Sequence, residues 1–151
     1  MKLVTYANSD TPAIGALIDD SICPFTNDAS LPNEMKLFLE GGEANMNKAT
    51  DLLNKAENLI PVDSVPLLSP ILNPQKILAI GLNYADHIEE SGMEKPKIPM
   101  VFNKQSSSVT GHNGVIHLPR ASEALDYEAE MAFVIGKQLS LIHISEPTRP
   151  L

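Results

Sequence analysis

Four prolines at near-regular intervals, Pro61, Pro66, Pro70 and Pro74, punctuate the middle of this chain and constrain what can form there. Each ring locks φ and removes a backbone donor, so no regular helix crosses the stretch. An extended connection is the favoured reading of residues 61–74. It separates a small domain over residues 1–60 from a second unit that begins at residue 75. With 151 residues in all, there is room for one compact domain, or for a small domain and part of another.

The first unit opens with Leu3-Val4-Thr5-Tyr6, a turn at Asn8-Ser9-Asp10, and Ile14-Gly15-Ala16-Leu17-Ile18. Asp19-Asp20 and then Ile22 suggest a further turn and strand, so a small antiparallel β unit is expected. A short helix is expected from Pro32 to Glu40, stopped by Gly41-Gly42. Met46, Ala49, Leu52, Leu53, Ala56 and Leu59-Ile60 then recur at helical spacing and read as a core-facing stripe.

Beyond the prolines, Lys76-Ile77-Leu78-Ala79-Ile80 reads as a buried strand and Gly81 as the turn after it. Asn83 is placed to cap a helix over Tyr84–Ser91, with Asp86 in its first turn and Gly92 at its end. Met100-Val101-Phe102 is a second short strand and Val115–Leu118 a third. A last strand is expected over Asp126–Ile135. The fold class is α+β and rich in strand.

Composition narrows the function. Nineteen acidic residues against eleven basic ones give a formal charge of −8 with His neutral. That balance disfavours nucleic acid and anionic membranes as partners. The single Cys23 allows no internal disulfide and fits a reducing compartment. No signal peptide is recognisable near Met1. The run Ile77–Leu82 is too short to span a bilayer. A soluble, cytoplasmic protein is expected, with an organelle matrix left open.

Three features carry chemistry. On a strand, Glu128 and Glu130 share one face about 7 Å apart. Two such acids repel unless solvent, a proton or a cation relieves them. A hard divalent cation wants oxygen ligands of this kind, although a solvated strand face is the commoner outcome. His87 and Glu90 are i,i+3 neighbours if Tyr84–Ser91 is helical. An imidazole so paired acts as a general base or orients a water; an exposed histidine on an acidic helix is the plainer alternative. Lys104 follows Val101-Phe102 at a strand end, where it can hold a substrate carboxylate or steady an enolate oxygen, or simply face solvent. His112 and His117 read as turn and strand residues rather than ligands.

The combination Gly81-Leu82-Asn83-Tyr84-x-x-His87-x-x-Glu90, Pro99-x-x-Phe102-x-Lys104 and Asp126-Tyr127-Glu128-x-Glu130, with Val134-Ile135-Gly136-Lys137, resembles the fumarylacetoacetate hydrolase family. The likeness is close over residues 75–137. Residues 1–6 and Phe38–Gly42 resemble the smaller N-terminal domain of its two-domain, bacterial-type members. The resemblance implies the first part of a mixed β-roll catalytic domain over residues 75–138 and a homodimer. It implies a divalent metal, Mg²⁺ foremost with Mn²⁺ or Ca²⁺ as substitutes, with Glu128 and Glu130 as two of its ligands. His87 and Glu90 become a water-activating or proton-transferring dyad, and Lys104, Tyr84 and Phe102 line the substrate site. The implied substrates are small 2-oxo or 1,3-dicarbonyl acids. The implied reactions are C–C hydrolysis (acylpyruvate or fumarylpyruvate), decarboxylation, isomerisation or ureidoglycolate lysis, through a metal-held enolate and, for hydrolysis, a His87-activated water.

The family pattern stops near Lys137-Gln138. A further acidic ligand, an Arg-containing segment and a later lysine are expected after it. Residues 139–151 instead resemble translated adapter sequence and are expected to be a non-native tail, His143 included. A roll lacking those strands exposes edges and apolar surface, so aggregation or partial unfolding is expected. The competing reading is an inactive fragment, or one that only binds a small acid.

Overall fold

The computed structural model describes residues 1–9 and 11–136. Lys137 and the tail expected to be non-native lie outside the described residues. The elements are β1 (Lys2–Asn8), β2 (Thr11–Ile18), β3 (Ser21–Pro24), α1 (Met35–Glu40), α2 (Gly42–Lys55), β4 (Ile60–Pro61), β5 (Leu67–Leu68), β6 (Ile77–Gly81), α3 (Ala85–Ser91) and β7 (Met100–Lys104). The architecture is α+β, as expected.

β1, β2 and β3 form the antiparallel meander read from the sequence, pairing Asn8 with Thr11 and Ile18 with Ser21 across its turns. Ser9 and Asp19 take left-handed backbone there, with φ of 48° and 50°. Alternation along the strands sends side chains to two faces. On one face Ile14, Ala16 and Cys23 pack with Phe25, Met35, Phe38, Ala49 and Leu52, which brings in α1 and α2. The Phe25 and Phe38 rings lie 4.8 Å apart at 35°. On the other face Tyr6, Ala13 and Ile22 are covered by Ile60, Val62, Val65 and Leu67. Burial pushes the Cys23 thiol and the Tyr6 phenol above their ordinary titration ranges; a hydrogen bond with Thr26 partly opposes this at Tyr6.

That second cover comes from the proline-rich stretch. No α-helix crosses it, as its composition demands, yet it is not a free linker: a single 3₁₀ turn at Val62–Ser64 separates two short strands, and residues 60–68 are built into the N-terminal sheet. Ile60 and Pro61 pair with Ile22 and Ser21, and Leu67 and Leu68 pair with Tyr6 and Thr5. The strand order is β4-β3-β2-β1-β5, so both short strands are edges. Edge strands tolerate proline because one side of the ladder has no partner to lose. The Thr5 hydroxyl also donates to the Pro70 carbonyl at 2.8 Å.

Other boundaries moved. α2 begins at Gly42 and stops at Lys55, where Ala56 turns left-handed at φ 48°. Gly41-Gly42 therefore joins two helices as well as ending one. Within α2 the buried positions are Asn45, Ala49 and Leu52, whereas Met46 is exposed. The start of α3 is Tyr84 with no side-chain cap bond, so Asn83 is not the cap. Gly92 ends α3 in left-handed backbone, as expected.

The second half is built on β6 and β7, paired antiparallel with Ile77 opposite Lys104 and Gly81 opposite Met100. The strands expected over 115–118 and 126–135 are absent from the described residues. A strand is maintained by its ladder, and no described segment pairs with either. Their apolar side chains face solvent: Ile116 is 68% and Phe133 81% exposed. No described residue beyond 75 is fully buried.

Candidate functional site

α3 carries the first candidates. Its N–H ladder starts from Tyr84, whose carbonyl accepts from Ile88 at 3.2 Å. His87 and Glu90 fall one turn apart on it and are exposed. That spacing places them on neighbouring positions of one face. No hydrogen bond or ion pair joins them among the described residues, so the imidazole is free to meet a ligand.

Tyr84 does something the sequence does not suggest. Its hydroxyl donates to the main-chain carbonyl of Ala129, 45 residues away. Ala129 is the residue between Glu128 and Glu130. The start of the histidine helix and the acidic segment are thereby held together by one side chain. The phenol proton is committed to that carbonyl, which leaves the ring and the oxygen lone pairs for any substrate contact.

Both glutamates are exposed and accept no hydrogen bond among the described residues. With no ladder under them, nothing pins the two carboxylates to one face, as a strand would. Their chemistry, two acceptor-only oxyanions, suits a hard cation. They supply two donors only: no group of three His, Cys, Asp or Glu able to hold a metal is gathered among the described residues. Neighbouring Asp126 turns inward on its own backbone, accepting from the Tyr127 N–H at 2.8 Å.

Lys104 and Phe102 lie two apart on β7 and share a face of the ribbon. Lys104 is at the end remote from α3. It pairs with Ile77, the first residue of β6, whereas α3 follows Gly81 at the other end. Four ladder steps separate Ile77 from Gly81, roughly 13 Å of strand. Phe102 sits between, opposite Ala79 and 45% exposed. The structure thus ties Tyr84, at the start of the helix that carries His87 and Glu90, to the acidic segment, and sets Lys104 at the other end of the ribbon from that helix.

A cleft of about 240 Å³ runs between the N-terminal sheet and residues Thr110 and His112. Another of about 210 Å³ lies beside α1 and Pro70. Neither includes a site candidate. No described helix is long and apolar enough to cross a membrane.

Comparison with known proteins bears on these residues. Residues 76–148 match the family described as fumarylacetoacetate (FAA) hydrolase C-terminal. Over 143 residues the chain is 41% identical to a Xenopus laevis protein named oxaloacetate tautomerase fahd2, mitochondrial, covering 91% of this chain and 45% of that one. It is 37% identical to a fumarylacetoacetate hydrolase domain-containing protein 2 homolog of Dictyostelium discoideum, covering 97% and 50%. A human protein named oxaloacetate tautomerase FAHD2A, mitochondrial, is 39% identical over 111 residues, covering 74% and 35%. Among solved structures, a putative HpcE protein from Mycobacterium smegmatis superposes with a TM-score of 0.61 at 24% identity, covering 78% of this chain and 41% of that one. The chain spans half or less of the length of these relatives.

Proposed function

Because the chain belongs to the fumarylacetoacetate hydrolase family, we propose that the protein carrying it is an enzyme that moves a proton beside the 2-oxo group of a small acid. Keto–enol interconversion of oxaloacetate is the first reaction to assay, since the frog and human relatives are named for it. The observation that supports a site here is the Tyr84–Ala129 hydrogen bond, which couples the helix bearing His87 and Glu90 to the Glu128–Glu130 segment.

In this reading His87 accepts the proton from the carbon next to the 2-oxo group and returns it on the reverse path. Imidazole suits the task because it exchanges protons near neutral pH. Glu90, one turn on, would orient the ring once substrate is bound, the contact not being formed here. Lys104 stands too far along the ribbon to share that proton; its long, flexible side chain would have to reach back along the ribbon to hold the substrate carboxylate. Phe102, between them, offers an apolar wall. Glu128 and Glu130 would hold a divalent cation, Mg²⁺ foremost. When bound, such an ion polarises a substrate carbonyl as a Lewis acid. If the acid is an acylpyruvate, the same imidazole can take its proton from a water instead, giving hydrolysis. Homodimerisation and a mitochondrial matrix location, the latter from the relatives' names, belong to the same proposal.

The test is enol decay of oxaloacetate, followed by ultraviolet absorbance with Mg²⁺ and again with chelator, alongside acylpyruvate cleavage. The expected result is chelator-sensitive acceleration that His87→Ala removes. Full activity in His87→Ala would sink the mechanism. Cleavage of acylpyruvate without effect on oxaloacetate would reassign the reaction to hydrolysis.

A further inference from the structure

The turn after β7 closes against the N-terminal sheet at Gly111. An added Cβ there would fall on the Leu67 carbonyl oxygen and 2.9 Å from the Leu68 Cα. Both are main-chain atoms of β5, a strand held in a ladder to β1. No rotamer change can relieve such an overlap, so only a glycine allows this approach. The turn has its own closure, the Gly114 N–H donating to the Gly111 carbonyl at 3.0 Å. Val109 and Gly111 are half-buried, while Thr110 between them is exposed.

The chain path gives the contact its meaning. From β5 the chain runs out to Ile77, and from Lys104 it runs back to Gly111. Ile77 and Lys104 are ladder partners. The two stretches are therefore joined at both ends, by a strand pair at one and by the Gly111 approach at the other. Lys104 stands at the end of the ribbon from which both stretches leave.

We propose that Gly111 is a positioning residue, through which the N-terminal unit braces the loop after β7 and sets the placement of Lys104. The contact stands on backbone geometry alone; its consequence for Lys104 rests on the proposed function. The N-terminal unit is then part of the scaffold of the site.

Hydrogen exchange read by mass spectrometry on the full chain tests the contact, comparing wild type, Gly111→Ala and His112→Ala. In Gly111→Ala, exchange across residues 105–114 and 62–70 should rise together by about tenfold, as a lost local closure predicts. Peptides from β2 and β3 should be unchanged, and His112→Ala, which leaves the backbone approach intact, should match wild type. Unchanged exchange in Gly111→Ala overturns the proposal. For the consequence, KM for the acid substrate should rise severalfold in Gly111→Ala with kcat within about twofold, the pattern of lost uniform binding. Altered exchange with an unaltered KM overturns the positioning of Lys104. A wild-type protein that turns over none of these acids defeats the functional reading instead, and the exchange result then decides the brace by itself.

Discussion

Gly41 and Asn45 offer a double substitution whose outcome can be worked out before it is made. Gly41 has φ −72° and ψ −8°, ordinary right-handed backbone, so alanine fits it without conformational strain. What forbids the methyl is space. A Cβ at Gly41 would overlap the Asn45 side-chain amide, whose oxygen lies 2.9 Å from that point. That amide is in use: its nitrogen donates to the Phe38 carbonyl at 2.9 Å. The acceptor is one of the last carbonyls of α1, which have no partner in their own helix. Asn45→Ala leaves it buried without this donor, at a cost of about 1–3 kcal/mol. Alanine's better helix propensity returns about 0.6 kcal/mol, so a net loss of about 1–2 kcal/mol is expected. Gly41→Ala pushes the amide away and suffers a similar loss. It is offset by about 0.4–1 kcal/mol from a stiffer unfolded chain. In the Asn45→Ala background the overlap is gone and only that gain remains. The double variant should therefore be more stable than the sum of the single variants by about 2 kcal/mol. Urea unfolding followed by far-ultraviolet circular dichroism measures all four corners of the cycle. Effects that add to within about 0.5 kcal/mol, the ordinary behaviour of independent sites, would refute the proposed link between the two residues.

Three further outcomes follow from the same geometry. Cys23 and Tyr6 are both pushed up, chiefly by burial, so the folded chain keeps protons that the unfolded chain releases. Their contribution is complete below the unfolded thiol value of about 8.5 and is lost as pH rises towards the folded values; the urea midpoint should fall over that range, and a midpoint that rises would contradict the sign. Tyr84→Phe removes the hydrogen bond to Ala129, worth about 1 kcal/mol, and should speed cleavage by a glutamate-specific protease at Glu128 and Glu130 by roughly fivefold; equal rates would show that the bond restrains nothing. Replacing Glu128 and Glu130 together by glutamine should abolish Mn²⁺ binding seen by titration calorimetry in the wild type, and retained affinity would remove both residues from the metal proposal.

The site was legible in part. His87, Glu90, Lys104, Glu128 and Glu130 stand out because their residue types and spacings carry chemistry, and the family match covers the segment that holds them. The sequence offers no signal for Tyr84 as the link to Ala129, because 45 residues of chain separate the partners and any tyrosine can donate to any carbonyl. Nor does it reveal that Lys104 sits four ladder steps from α3, since that depends on which way β7 runs beside β6. The supposed strand over Asp126–Ile135 shows the limit from the other side. Its β-prone composition is real, but it finds no ladder partner among the described residues.

What the sequence determined by itself is whatever neighbours along the chain decide. The β1–β3 meander follows from alternating apolar residues and from turn residues that accept left-handed backbone. α3 follows from its first-turn acid and from Gly92, which ends it. Tertiary structure alone decided the rest: that the proline stretch covers one face of the sheet, that Asn45 rather than Met46 is buried, and that Gly111 meets β5. Each of these is a contact between segments far apart in the chain. Each is won by whichever surface lacks a cover or a hydrogen-bond partner, and no local pattern records that.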